Sequence, residues 1–123
     1  MRVLLVDDHQ IMREGLAALL RREPDITVVG EATDGIAAIG IAAECLPDVV
    51  VMDLAMPGLN GVEATRAILE EQPHVRVLCL SMHADRQMVS SVLQAGAAGY
   101  VVKDCCAEEL VRAMRVVAAN RTY

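Results

Sequence analysis

Four short apolar runs in the chain end on side chains that could do acid and phosphate chemistry. One of them, Val49 to Met52, ends on the carboxylate of Asp53, and a Pro and two Gly follow within eight residues. A carboxylate held at such a turn can bind a hard cation or act as a nucleophile. The other three runs end on Asp7 and Asp8, on Ser81, and on Lys103.

These side chains can act together only if the fold brings the ends of the apolar runs to one place. Five short strands are predicted at about 2–6, 26–29, 49–52, 75–80 and 99–102, and five helices at about 9–22, 34–45, 60–72, 85–95 and 107–119. Strict alternation of the two predicts parallel strands with helices on both faces. All the strands then end at one edge, which is where open α/β sheets bind ligands. The second strand offers Glu31 to the same rim.

The local signals also predict details of two helices. Asp34 can cap the second helix, and Ile36, Ile39 and Ala43 recur at a spacing that predicts its buried face. Gly96 is expected to end the fourth helix as its C-terminal cap.

Length and composition indicate one globular domain. The chain has 123 residues, of which 54% are apolar and 23% charged. No apolar run approaches the roughly 18 residues of a membrane span, and no signal peptide is visible, so we expect a cytoplasmic protein with no membrane contact. A net charge of -6 without a basic cluster predicts that this segment does not bind nucleic acid by itself. The four cysteines lack CxxC spacing, which argues against a zinc site or a redox pair.

The predicted rim combines three carboxylates with one ammonium and one hydroxyl. Three carboxylates lie close together only where positive charge offsets them, and an all-oxygen site with few protein ligands suits Mg²⁺ better than Ca²⁺. Lys103 can place a point charge on phosphate oxygens, and Ser81 can donate a hydrogen bond. This set matches the needs of phosphoryl transfer, with Asp53 as the nucleophile and an acyl phosphate as the product.

Four motifs at these strand ends are specific when taken together. They are Val6-Asp7-Asp8, Met52-Asp53-Leu-Ala-Met-Pro57-Gly58-Leu-Asn-Gly61-Val-Glu-Ala-Thr65, Leu80-Ser81-Met-His83 and Gly99-Tyr100-Val-Val-Lys103-Asp104. With them the chain resembles, over essentially its whole length, the receiver domain of bacterial two-component response regulators. The Asn-Gly-Val-Glu-Ala-Thr motif is similar to the NarL/LuxR-type branch, whose receivers precede a helix-turn-helix DNA-binding domain.

The resemblance implies a flavodoxin-like (βα)5 fold, a doubly wound parallel sheet with strand order 2-1-3-4-5. It implies a receiver domain over residues 1–119, with 120–123 as the start of a linker to a C-terminal output domain outside these residues. Asp53 would accept a phosphoryl group from a sensor histidine kinase and so regulate transcription, with homodimerisation on phosphorylation and DNA contact only through that output domain. Such a protein is not an enzyme beyond catalysing its own phosphorylation and dephosphorylation.

The resemblance also implies the roles of the site residues. Mg²⁺ would be bound by Asp8, Asp53 and the main-chain carbonyl of Ala55, and Asp7 would help through water. Lys103 and Ser81 would contact the phosphoryl oxygens.

Two further pairs of positions have implied roles. Tyr100 would change rotamer as Ser81 moves. Ala55 and His83 would flank the phosphoryl group and tune its hydrolysis. Because Ala55 cannot hold an attacking water, we expect a long-lived phosphoryl state. His9, His74 and His83 are otherwise expected to be solvated, since no pair has metal-ligand spacing.

Three alternatives remain at this point. A stand-alone receiver would act by protein contact alone, without an output domain. An aspartyl-phosphate hydrolase of the haloacid dehalogenase type would require a second acid two residues after the nucleophile, where Ala55 stands. A flavodoxin-like cofactor binder would require a hydroxyl-rich phosphate loop where Asp7 and Asp8 stand, and these acids would repel the phosphate of the cofactor.

Overall fold

The chain folds as one five-stranded parallel sheet in the order β2-β1-β3-β4-β5. The structure, a computed structural model, describes residues 1–54, 61–81, 86–103 and 107–123, with only the backbone described at Arg86. Each strand is followed by a helix, which confirms the predicted flavodoxin-like (βα)5 fold. The elements are β1 Arg2–Val6, α1 Gln10–Leu20, β2 Thr27–Ala32, α2 Gly35–Cys45, β3 Val49–Asp53, α3 Gly61–Glu71, β4 Arg76–Ser81, α4 Arg86–Gln94, β5 Gly99–Val102 and α5 Ala107–Ala118.

The sheet separates two apolar layers. Helices α1 and α5 cover one face, and α2, α3 and α4 cover the other. Strand β3 lies at the centre, and every one of its residues from Val49 to Asp53 is buried. A strand covered on both faces needs apolar side chains on both, which explains its unbroken run of Val and Met. The acid at its end is therefore a buried acid.

The predicted buried face of α2 is wrong at two of its three positions. Ile39 is half-buried and packs against the apolar layer beneath the helix, as predicted. Ile36 is 71% exposed and Ala43 is exposed, whereas Gly35, Ala38 and Ala42 are buried. The helix packs on the sheet through its smallest side chains, which let its backbone approach closely. Ranking residues by hydrophobicity favours isoleucine for the inner face, and close packing reverses that choice.

The predicted helix caps agree with the structure, and the second strand is longer than predicted. The Asp34 side chain accepts a hydrogen bond of 2.8 Å from the Ala37 N–H and caps α2 as predicted. Gly96 follows α4 with a φ of +109°, the left-handed region that glycine tolerates best. Strand β2 runs on to Ala32, beyond the predicted end at 29, because its last residues pair with β1 after a register shift. None of the described helices combines the length and apolar character of a membrane-spanning segment.

Candidate functional site

The carboxyl ends of β1, β3 and β5 carry three buried charged side chains. Asp7 follows β1, Asp53 ends β3 and Lys103 follows β5. Each stands two positions after a strand residue buried beneath α1 and α5, and side chains two apart in a strand point to the same face. The sheet therefore aims all three toward one point, as the sequence predicted.

The distances show that one ammonium group forms ion pairs with two carboxylates. Lys103 Nζ lies 2.9 Å from Asp53 Oδ2 and 3.7 Å from Asp7 Oδ2. The side chains of Lys103, Asp7 and Asp53 are 3%, 2% and 0% exposed, so water screens these charges little. Lys103 is also the single lysine of the chain, which uses arginine for its other long basic side chains. Two buried acids facing one base leave an excess of negative charge that favours a further cation.

Arg13 holds the backbone of Asp7 in place through a hydrogen bond. Arg13 Nη1 donates a hydrogen bond of 2.8 Å to the Asp7 carbonyl oxygen, and Arg13 Nε donates one of 3.1 Å to Glu31 Oε1. The Asp7 N–H donates to the Ala32 carbonyl oxygen at 3.0 Å. Glu31 therefore pairs with Arg13, and its role at the rim is to hold the strand end. No sequence pattern indicates this pairing, because an arginine near the start of a surface helix usually faces water.

His9 joins the acid cluster. Its ring Nδ1 lies 3.3 Å from Asp7 Oδ1 and 3.1 Å from Asp8 Oδ1. Its backbone N–H donates a hydrogen bond of 2.8 Å to Asp7 Oδ1. The side chain is 65% exposed, so the expected solvation holds, but the same ring also contacts both acids. The signal that could have indicated this contact is its position directly after Asp7-Asp8.

The cluster has the donor set that a metal ion requires and a buried carboxylate oxygen without a hydrogen bond from the described residues. One ligand atom from each of Asp7, Asp8, His9 and Asp53 lies within 4.8 Å of all the others. Asp7 Oδ2 is buried and accepts no hydrogen bond from any part of the chain that the structure describes. Leaving a buried carboxylate oxygen without a donor costs free energy, and a bound cation would remove that cost. These residues fit a divalent cation.

Ser81 and Tyr100 lie on the neighbouring strands β4 and β5. Ser81 is the last residue of β4 and only 8% exposed, and its carbonyl oxygen accepts a hydrogen bond of 2.7 Å from the Lys103 N–H. Tyr100 in β5 pairs with Cys79, packs against the α2–α4 layer and is half-buried. Because Cys79 and Ser81 are two residues apart, Ser81 and Tyr100 point to the same face of the sheet. Ala55 and His83 lie outside the described residues.

The two described cysteines are free thiols. Burial raises the pKa of Cys79 to about 12. Burial also raises the pKa of Cys45, against a smaller effect of nearby Arg2. Both groups therefore stay protonated at neutral pH and are poor nucleophiles. Cys105 and Cys106 lie outside the described residues.

Gly61 sets how closely α3 approaches the end of β3. A Cβ atom at this position would lie 2.8 Å from the Asp53 carbonyl oxygen and 2.8 Å from Leu54 Cδ2. We expect Gly61→Ala to lower the free energy of unfolding by about 1–3 kcal/mol, because the backbone oxygen cannot move aside cheaply. Urea unfolding followed by circular dichroism measures the change.

Gly40 is the matched control, a glycine inside α2 with nothing within 4 Å of the Cβ it would gain. Gly40→Ala is expected to stabilise the chain by up to about 1 kcal/mol, because alanine favours the helix. Equal effects of the two substitutions would show that Gly61 is not sterically required.

Comparison with known proteins identifies the family. A profile of the response regulator receiver domain matches residues 3–115. The transcriptional regulatory protein DegU of Brevibacillus brevis is 43% identical over 122 residues, 99% of this chain and 52% of that protein. The transcriptional regulatory protein LiaR of Bacillus subtilis is 45% identical over 114 residues, 93% of this chain and 54% of that protein.

A solved structure agrees with these matches. The crystal structure of a LuxR-family two-component response regulator from Aurantimonas sp. SI85-9A1 is similar with a TM-score of 0.94 and 43% identity, covering 98% of this chain and 86% of that one. The chain spans about half the length of the curated relatives that it matches. With its buried acids and its lysine at the carboxyl ends of a 2-1-3-4-5 sheet, the chain belongs to the response regulator receiver domains, in their NarL/LuxR-type branch.

Proposed function

We propose that the chain is a phosphorylation-activated switch in which Asp53 accepts a phosphoryl group from a sensor histidine kinase. The observation that carries the proposal is the buried carboxylate of Asp53 at the end of the central strand, 2.9 Å from the ammonium of Lys103. An Asp53 oxygen attacks phosphorus, the bond from phosphorus to the histidine nitrogen breaks, and the imidazole leaves with that electron pair. The product is an acyl phosphate.

Mg²⁺ is the cation that we assign to the acid cluster. Asp8, Asp53 and the main-chain carbonyl of Ala55 would hold it, and Asp7 would do so through water. Bound there, it neutralises charge on the phosphoryl oxygens. The assignment is supported by the all-oxygen chemistry of these ligands and by the buried Oδ2 of Asp7, which accepts no hydrogen bond among the described residues.

Lys103 and Ser81 would receive the phosphoryl group. Lys103 Nζ already contacts Asp53, so the same ammonium can move to a phosphoryl oxygen as charge builds there. The Ser81 hydroxyl would donate to a second oxygen. Drawing Ser81 inward would free space on the face that it shares with Tyr100, and the Tyr100 ring would then change rotamer. Phosphorylation in this way shifts the balance between two arrangements of the surface formed by α4, β5 and α5.

The switch would act on a part of the protein beyond these residues. We assign 1–119 to the receiver and 120–123 to the start of a linker to a helix-turn-helix output domain, because the matched relatives are transcriptional regulators about twice as long. The Tyr123 N–H donates to the Ala98 carbonyl oxygen at 3.0 Å, and Arg76 Nη2 donates to the Arg121 carbonyl oxygen at 3.2 Å. This linker would therefore leave from the edge of the sheet opposite Asp53.

The expected partners follow from family membership. A sensor histidine kinase would approach the rim, where Ile11 at the start of α1 is 88% exposed and offers an apolar contact beside the acids. DNA would be contacted only through the output domain, and phosphorylation would promote a homodimer. We place the protein in the cytoplasm, as for response regulators generally. Its only catalysis would be its own phosphorylation and dephosphorylation.

Incubation with acetyl phosphate tests the proposal directly. With MgCl2, intact mass spectrometry is expected to show the addition of one phosphoryl group, and hydroxylamine is expected to remove it because it cleaves acyl phosphates. With EDTA in place of MgCl2 the addition is expected to disappear. No incorporation, or a product that resists hydroxylamine, would contradict the assignment of Asp53 as the acceptor.

The phosphoryl state is expected to last for minutes to hours. Ala55 has no polar side-chain atom to hold an attacking water near the acyl phosphate, so hydrolysis should be slow. Ala55→Asn is expected to speed the decay, because its amide can bind water. Release of inorganic phosphate from purified phosphoprotein measures both rates. Decay of the unsubstituted chain within seconds, or equal rates for the two proteins, would show that Ala55 does not protect the phosphoryl group.

A further inference from the structure

We propose that the acid cluster also binds a borderline first-row cation, of the class of Co²⁺, Ni²⁺ and Zn²⁺, through the imidazole of His9, in competition with Mg²⁺. The inference rests on the proposed function, since it concerns the same cation site. Its basis is the imidazole nitrogen of His9, a donor that the Mg²⁺ assignment does not use. This nitrogen lies beside the carboxylates of Asp7 and Asp8.

The separations between donor atoms fit one shared ion. His9 Nδ1 lies 3.3 Å from Asp7 Oδ1 and 3.1 Å from Asp8 Oδ1. Ligand bonds of about 2.1 Å place adjacent donors about 3.0 Å apart in an octahedron and about 3.4 Å apart in a tetrahedron. The nitrogen therefore lies at ligand spacing from an oxygen of each acid, and one ligand atom from each of the three residues lies within 4.8 Å of the others.

Two further features make His9 a usable ligand. Its backbone N–H donates to Asp7 Oδ1 at 2.8 Å and anchors the residue, and its ring Nδ1 lies against the oxygens of Asp7 and Asp8, where a bound ion would replace the direct contacts. The ring is 65% exposed, so a cation can reach it from water. Beside it, the buried Oδ2 of Asp7 accepts no hydrogen bond within the described segments, and the Lys103 ammonium that faces it at 3.7 Å lies closer to Asp53. Two buried carboxylates that share one ammonium favour a further cation independently of the histidine.

The chemistry of the donor atoms determines which ions bind more tightly when His9 is a ligand. Imidazole nitrogen binds Co²⁺, Ni²⁺ and Zn²⁺ well, whereas Mg²⁺ prefers oxygen and keeps several waters. A site made only of Asp7, Asp8 and Asp53 would favour Mg²⁺ among abundant cations. Adding His9 raises the affinity for the borderline ions and leaves that for Mg²⁺ nearly unchanged.

Calorimetric titration of the tag-free chain with CoCl2 and, separately, MgCl2 tests the inference. His9→Ala is expected to weaken Co²⁺ binding at least about tenfold, since loss of even an outer-shell partner of a metal costs about 10–100-fold, while Mg²⁺ binding changes less than about twofold. The visible absorption of bound Co²⁺ should lose its nitrogen contribution. Co²⁺ is also expected to displace Mg²⁺ from the unsubstituted chain.

Two variants control the titration. His74→Ala removes an exposed histidine between α3 and β4, at the opposite edge of the sheet, and should change neither ion. Asp8→Asn removes a shared ligand and should weaken both. Thermal melting of each metal-free variant checks that the fold is kept.

The outcomes separate this inference from the proposed function. Unchanged Co²⁺ affinity in His9→Ala, or equal weakening of Co²⁺ and Mg²⁺, would overturn the inference even if acetyl phosphate still modifies the chain. Loss of Co²⁺ affinity confined to His9→Ala and Asp8→Asn would support it, even if acetyl phosphate fails to modify the chain.

Discussion

Asp53→Asn is expected to abolish phosphoryl transfer to the chain while keeping its fold. The amide has nearly the same shape as the carboxylate, and its oxygen can still accept a hydrogen bond from Lys103, which lies 2.9 Å from Asp53 Oδ2. It is not a nucleophile toward phosphorus, and it removes one of the two buried negative charges beside a single ammonium. The metal-free variant should therefore be at least as stable as the unsubstituted chain. Intact mass after incubation with acetyl phosphate and MgCl2 measures the loss.

Substitutions of two other aspartates serve as controls for the loss of phosphorylation in Asp53→Asn. Asp34→Asn replaces one good helix cap by another at the start of α2 and is expected to leave phosphorylation unchanged. Asp7→Asn weakens the cation site without removing the acceptor, so phosphorylation should need more MgCl2 but still go to completion. If Asp53→Asn were modified as fully as Asp34→Asn, another residue would be the acceptor.

The rim could be predicted from the sequence because it depends on order alone. Once strands and helices alternate, the right-handed crossover places Asp7, Asp53 and Lys103 at one edge, whatever the details of packing. The side-chain alternation of three separate strands then brings the charges together. No local distance needed to be known in advance.

The parts that were missed depend on distances. The contact of His9 with two acids and the hydrogen bond of Arg13 to the Asp7 carbonyl follow from how the β1–α1 turn closes, which no periodicity reports. The inward face of α2 depends on how near the helix comes to the sheet. There Ala38 and Ala42 fit, whereas Ile36 remains exposed. Sequence patterns rank residues by type, whereas the space between the helix and the sheet determines which of them are buried.

The same distances lead to a second large effect, at Lys103. Its ammonium is the one positive charge among the described residues that contacts both Asp7 and Asp53, and all three side chains are nearly fully buried. Removing one partner of a buried charge group costs far more than the group contributes net, because the remaining charges stay desolvated. Lys103→Met keeps much of the volume and leaves two like charges facing each other.

We expect Lys103→Met to lower the free energy of unfolding by about 3–5 kcal/mol in EDTA, measured by urea denaturation. MgCl2 should recover part of the loss, since the cation replaces the missing charge and binds only the folded chain. The double variant Lys103→Met with Asp7→Asn should also recover stability, because one buried acid then remains. This second variant keeps the test valid if Lys103→Met alone does not fold.

Arg115 provides the matched control, because it too contacts two acids but does so on the surface. Its Nη2 lies 3.0 Å from Glu23 Oε2 and 2.9 Å from Asp25 Oδ1, and the pairing lowers the pKa of Asp25. Water and salt screen such pairs, so Arg115→Met should cost much less than Lys103→Met. Equal losses at the two sites, or no recovery with Asp7→Asn, would mean that lost packing and not buried charge accounts for the effect. The energetic argument for a cation at the acid cluster would then fail, because it depends on excess negative charge held away from water.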